Sequence, residues 1–234
     1  MTIEEPLNHR SRVAASRREK TRARLLESAL LVFAQKGAHA VIDDVIAQAG
    51  MARGSFYNYF RTSEELLAAL TREINQELLS AIDPVVQQLQ DPAERIACGT
   101  RLLLHAVRRF PLYGTFLARL TAPAQIPSQK LPGAQFLSRD VALGLASGRF
   151  GDIGERVGTD LLLGAVLSAA HAAAREPLDA DYPDASARAM LRALGLQERE
   201  AVRLTMLPLP AFQLPCDSIL RRTALFEGWT GDSV

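Results

Sequence analysis

Residues 41–60 read VIDDVIAQAGMARGSFYNYF, and this stretch decides the fold. Its first half places apolar residues at Ile42, Val45, Ile46 and Ala49, the spacing of one helical face and not of a strand. Ala49-Gly50-Met51 breaks the pattern, and Gly50 suits the left-handed residue that ends a helix. Helical spacing resumes at Phe56 and Phe60. Two short helices joined by a three-residue turn containing glycine form a helix-turn-helix. The outer face of the second helix carries Arg53, Gly54, Ser55, Tyr57, Asn58 and Tyr59: hydrogen-bond donors and a gap, with no carboxylate among them. Such a face can approach a polyanion, whereas one meant only for water usually mixes in acids.

Upstream, Leu25, Ala29, Val32 and Phe33 predict a helix over about 17–35, ended by Gly37. Residues 1–17 show no apolar periodicity and read as a flexible basic arm. Residues 9–24 hold seven Lys/Arg and one acid, Glu19, which fits either a solvated tail or an arm reaching phosphates or the minor groove. Downstream, Thr62 with Glu65 three residues later is a capping box opening a further helix. Leu67, Leu70, Ile74 and Leu78 carry its apolar face to about Ile82.

Over residues 20–70 these features together resemble the DNA-binding domain of the TetR (tetracycline repressor) family. The resemblance rests on four features in order: the run LLESALLVFAQKGAHAVIDDVIAQAG, the turn at Ala49-Gly50-Met51, the helix end FYNYF, and Ser63-Glu64-Glu65-Leu66-Leu67 after it. It implies an all-α protein: a homodimeric transcriptional regulator, most often a repressor, released by a small molecule. On that reading the second helix enters the major groove of double-stranded DNA at a pseudo-palindromic operator. Arg53 is then the best candidate for bidentate contact to guanine. Gly54 permits close approach, and Ser55 and Asn58 reach bases or phosphates. Tyr57, Tyr59, Arg18 and Arg22 hold register on phosphates. The chain departs from the family's habit at Val41 and Ala52, where side chains that cap a helix are common. It departs again at Ser63, where a lysine commonly contacts phosphate. Asp43 and Asp44 in the first turn partly compensate the missing cap through the helix dipole.

The remaining chain reads as helical throughout. Only Pro6 precedes residue 84, while eleven prolines follow from Pro84 onward, which places a domain boundary near residue 80. The head is then 18–78, the regulatory and dimerisation body 80–207, and residues 208–234 a C-terminal tail with a short helix near 217–227. Asp91-Pro92 with Glu94 starts a helix running to about Arg109, and Pro111 opens another through Leu120. Further helices are predicted at 134–147, from Asp152 to about Arg175, at 183–194 and at 197–207. Five glycines between 144 and 158 match no phosphate-loop spacing and mark a turn.

Net charge is +1 over 234 residues, with +4 in residues 1–63 and −3 in the rest, which fits one nucleic-acid-binding face on a near-neutral protein. The longest uncharged run, 161–174, is too short to span a bilayer, and no apolar stretch opens the chain as a signal peptide, so a cytoplasmic protein is expected. Cys98 and Cys216 stand far apart in no metal-binding spacing. No catalytic or metal-ligand motif occurs, so neither enzyme activity nor a cofactor is expected. Phe110, Tyr113, Phe116, Leu120 and Phe136 read either as plain core or as the wall of an apolar effector pocket. Asp160, Arg119 and Asp140 are further candidate contacts, and His105 and His171 read either as satisfied core histidines or as contacts to that pocket. The family pairs its last two long helices across a dimer, which nominates Leu161, Ala165, Ser168, Ala172, Met190 and Leu194 as interface residues, ordinary core packing of 153–194 being the alternative. Two alternatives stay open: an effector-free architectural or corepressor-bound DNA-binding protein of the same fold, and an all-α small-molecule carrier or enzyme.

Overall fold

The computed structural model describes residues 5–119 and 133–224, and every regular element in it is helical. α1 (Glu5–Lys36) is one continuous helix. The stretch expected as an irregular arm is therefore helical from Glu5 onward. Residues 11–20 are exposed throughout, so packing does not order them. They are instead mostly good helix formers extending a helix that nucleates where Leu25, Leu26, Ala29, Leu30 and Phe33 are buried. Elongation needs no apolar face, which is why periodicity gave no sign of it.

A 3₁₀ turn (Gly37–His39) leads to α2 (Ile42–Ala49). Val41 has no oxygen to cap it, but the Asp44 carboxylate accepts the Val41 N–H at 3.2 Å, which supplies half of a capping box. Gly50 closes α2 in the left-handed region (φ 58°, ψ 46°), and the Met51 N–H bonds back to the Ile46 carbonyl at 3.2 Å. α3 (Arg53–Phe56) is a single turn, shorter than the helical spacing through Phe60 predicts. Ala52 offers no side-chain cap, and beyond Phe56 the backbone continues as turns, with Tyr59 N–H on the Phe56 carbonyl at 2.9 Å. Phe56 and Phe60 are buried as predicted.

α4 (Ser63–Val86) begins with Thr62 Oγ1 accepting the Glu65 N–H at 3.1 Å. The boundary expected near residue 80 falls inside this helix, which continues past Pro84 to Val86. Leu66 and Leu70 pack in the head, and Ile74, Leu78, Ile82 and Val86 continue the same stripe into the body. The body adds α5 (Pro92–Arg109), α6 (Pro111–Arg119), α7 (Ala134–Ala146), α8 (Glu155–Arg175), α9 (Tyr182–Ala193) and α10 (Glu198–Thr205). Asp91 caps α5 by accepting the Ala93 N–H at 2.9 Å. α8 starts three residues later than predicted, after Gly154 at φ 73°, so Asp152 is not its cap. Of the stretch between Leu120 and the helix predicted from residue 134, only Gly133 is among the described residues.

Two hydrophobic clusters hold the chain. One runs continuously from α1–α3 through α4, α5 and α6. The other joins α5, α7, α8, α9 and α10 around Val141, Phe150, Leu162 and Leu191. The first also takes in Phe212, Leu214 and the last helix, α11 (Ile219–Ala224). The segment read as a tail from residue 208 is therefore, as far as Ala224, part of the core between head and body.

Candidate nucleic-acid interface and body cavity

The head turns α3 outward because Phe56 and Phe60 anchor it from beneath. Arg53, Gly54, Tyr57 and Asn58 are exposed, and Ser55 and Tyr59 half-buried. The Arg53 guanidinium donates to both oxygens of Asp43, at 2.8 and 3.1 Å. Both side chains are more than 60% exposed, so this pair is weak and exchanges readily for another anion. The Tyr57 phenol, then the Asp43 charge, push the Arg53 guanidinium above its ordinary value, and it stays charged. Tyr57 stands edge-on to Phe56, with ring centroids 5.5 Å apart.

Arg18 lies 6.0 Å over the Tyr59 ring. With Arg17, Thr21 and Asn58 it lines an open groove between α1 and the end of α3. Arg17 and Thr21 were missed in the sequence, since nothing in residues 9–24 distinguishes one basic position from another. Arg22 differs from expectation: it bonds Glu73 of α4 at 2.8 Å and lies over Phe60, so it braces the head from within.

Gly54 has no structural need of glycine. A Cβ there would meet nothing within 4 Å, and its φ is not positive. Gly54→Ala is expected to leave stability unchanged or slightly raised, by at most the roughly 0.5–1 kcal/mol that alanine gains over glycine inside a helix. DNA affinity should fall in the same protein, because the methyl occupies the space of closest approach. Thermal unfolding and DNA titration of that variant separate the two effects, and unchanged DNA binding would show that α3 does not approach DNA at Gly54.

Between α4, α5, α6, α7 and α8 lies a cavity of about 200 Å³. Leu79, Ile82, Leu103, Val107, Leu137 and Val166 give it apolar walls. Two hydrogen-bonded polar clusters interrupt them, beside Thr100 and His171. The Tyr113 hydroxyl donates to Asn75 Oδ1 at 3.3 Å, and Asn75 Nδ2 donates to the Thr71 carbonyl at 2.7 Å. Burial pushes the Tyr113 phenol far up, so it stays protonated as a donor. The second group is charged: Arg139 binds Asp83 and Asp140, each at 2.9 Å, and Arg95 approaches Asp140 at 3.5 Å.

Of the predicted pocket residues, Tyr113 and Phe136 line this cavity, as do Asp140 and His171. His105 does not: it sits half-buried on α5, where burial lowers its pKa. Phe116 is buried core beside the crevice between head and body, and Arg119 borders that crevice. Asp160 is on the surface, ion-paired with Arg156 at 2.5 Å. Leu120 lies outside the described residues. The sequence reading missed Thr71, Asn75 and Asp83, although their i, i+4 and i+12 spacing on α4 marks a polar stripe on one face.

The interface candidates divide. Leu161 is 41% exposed and Ser168 is also exposed, while Ala165 and Ala172 are half-buried. Met190 and Leu194 are 4% and 1% exposed, inside the chain's own second cluster, where they pack as core. Val157 and Leu167 are the exposed apolar residues that extend the α8 stripe instead. By length and composition α8 is apolar enough to cross a membrane, but Leu162, Leu163 and Val166 place one face of it in the core. Among the described residues, no group of three or more His, Cys, Asp or Glu is arranged to hold a metal ion.

A donor-rich helix-turn-helix head sharing one core with a cavity-bearing helical body defines a protein of the helix-turn-helix class. The chain belongs to the TetR family. Residues 25–70 match the bacterial regulatory proteins of the tetR family, and residues 91–206 match the tetracyclin repressor-like C-terminal domain. It is similar to RolR in complex with resorcinol, at 33% identity over 84% of this chain and 98% of that one, with a TM-score of 0.65. Against RolR without ligand the figures are 30%, 82% and 100%, with a TM-score of 0.68. The HTH-type transcriptional repressor KstR2 of Mycobacterium tuberculosis is 33% identical over 76 residues, which span 32% of this chain and 38% of that repressor.

Proposed function

We propose that this protein is a homodimeric transcriptional repressor, acting on DNA in the cytoplasm, that leaves its operator when a small neutral molecule enters the body cavity. The observation that carries the reading is α4. Thr71, Asn75, Leu79 and Asp83 line the cavity, and earlier turns of the same helix pack in the head. A ligand that prefers a different α4 position therefore changes where the head sits. In a C2 dimer that alters the separation of two heads that must match half-sites about 34–36 Å apart.

The cavity also constrains the effector. At about 200 Å³ it is smaller than the pockets that hold drug-sized ligands, so a single-ring molecule suits it. Arg95 and Arg139 are balanced by Asp83 and Asp140, leaving no net positive charge to accept a carboxylate. The donors and acceptors present suit hydroxyl groups. The likeness to RolR, solved with resorcinol, supports a hydroxylated aromatic. The architectural alternative calls for a filled body, and this body holds a cavity with charged and hydroxyl groups in its wall.

Selection of duplexes from a random pool, at about 150 mM salt to suppress non-specific phosphate binding, should return a palindromic consensus. Resorcinol titrated against that duplex should release the protein. At a hundredfold excess over its dissociation constant it should add about 2.7 kcal/mol of stability. Leu103→Trp fills part of the cavity and should keep operator binding while abolishing release. Release by resorcinol at wild-type concentrations in Leu103→Trp would place the effector elsewhere, and no enrichment of any duplex would sink the repressor reading.

A further inference from the structure

We infer that residues 208–224 form a strap that holds the DNA-binding head against the effector cavity, and that its hold opposes the effector-bound arrangement. The inference rests on the repressor reading above. The strap lies beyond the residues matched by the family's C-terminal domain, which end at residue 206.

Its path is constrained. Pro208, Pro210 and Pro215 stiffen the connector by fixing their backbone angles. Phe212 and Leu214 are buried along the way. α11 then packs against α1, α4 and α6 together, with Ile219, Leu220, Thr223 and Ala224 all less than 5% exposed. Two polar latches fix it. The Glu77 carboxylate of α4 accepts the Ile219 N–H with both oxygens at 2.9 Å, and the Leu220 N–H at 3.5 Å. Arg222 pairs with Glu27 of α1 at 2.5 Å.

Glu77 is two residues from both Asn75 and Leu79, which line the cavity. Two residues turn about 200° around a helix, so this turn of α4 presents the cavity on one side and the strap on the other. Any ligand that shifts α4 must carry Glu77 with it and loosen its bonds to α11. Conversely, a strap that grips α4 and α1 at once resists the shift. Coupling of this kind is reciprocal: weakening the strap should cost operator affinity and return effector affinity. A merely structural role would lower both.

The test compares wild type, Glu77→Gln and the milder Arg222→Ala in the full chain. Amide hydrogen exchange is read at residues 24–30, at 219–224 and, as a control in the body, at 102–107. Operator affinity and resorcinol affinity are read on the same proteins. Glu77→Gln turns an amide donor toward backbone N–H groups and should accelerate exchange at both 219–224 and 24–30, leaving 102–107 unchanged. Operator binding should weaken roughly tenfold, the scale of losing a charge-assisted bond, while resorcinol binds more tightly. Acceleration confined to 219–224, or operator and resorcinol affinities that fall together or do not move, overturns the strap. If wild type selects no duplex the repressor reading fails instead, and exchange at 24–30 still decides whether α11 holds the head.

Discussion

Arg53→Ala is expected to erase the preference for one base pair in each operator half-site and to weaken operator binding roughly tenfold to hundredfold. Arg53 is the only basic residue in 52–60, so no neighbour on the recognition segment substitutes for it. Its partner Asp43 is as exposed as Arg53 itself, and removing the guanidinium leaves a carboxylate in water and not a buried charge. The melting temperature should therefore stay at the wild-type value. Duplex selection and salt titration of the variant tell which contact was lost. A base contact flattens one position of the consensus, whereas a phosphate contact weakens all sequences alike and lowers the salt slope by about one. A uniform loss would reassign Arg53 to the backbone and leave Asn58 and Ser55 as the readers.

Gly144→Ala should destabilise the body by about 3 kcal/mol, toward the upper end of what overpacking a filled core costs. The added Cβ would lie 1.9 Å from Phe150 Cε2 and 2.1 Å from Cδ2. The ring has little room to step aside. It is buried in the second cluster, and the Arg149 and Phe150 N–H groups both bond the Gly144 carbonyl, at 2.8 and 3.2 Å. Arg149 is pinned in turn by the Asp91 carboxylate at 2.7 Å and by Glu200. Urea unfolding should register the loss, and the melting temperature should drop by about 6–12 °C for a chain of this size. A variant within 0.5 kcal/mol of wild type would mean that the α7–α8 turn yields more easily than its bonds imply. The contrast with Gly54, whose Cβ meets nothing, separates a glycine required by packing from one left open to solvent.

The head was legible because its signals are local. Gly50 in the left-handed region and Thr62 with Glu65 each fix a helix end through bonds among near neighbours, as Asp91 before Pro92 does in the body. What escaped depends on partners distant in sequence. Met190 and Leu194 lie on an apolar helical face, and that pattern is the same whether the face meets its own chain or a second copy. Asn75, Asp83 and Arg139 are unremarkable polar residues until α4 and α7 are brought together around a cavity. The helical start of α1 left no trace because extending a nucleated helix requires propensity and no burial. The strap was hidden by its prolines, which announce a connector and say nothing of what it lies against.

The unbroken run of α4 has a mechanical consequence. Its 24 residues make a rod of about 36 Å, close to one turn of duplex DNA. A tilt of about 5° at the cavity end, small enough to be driven by closing walls around one aromatic ring, sweeps the far end through about 3 Å. Pro84 removes one helical hydrogen bond near the cavity end, whereas the turns from Ser63 to Ser80 contain no proline or glycine to hinge them. On the repressor reading, a tilt about the Val86 end that moves Thr71 in the cavity wall by about 2 Å moves Ser63 in the head by about 3 Å, comparable to the rise of one base pair.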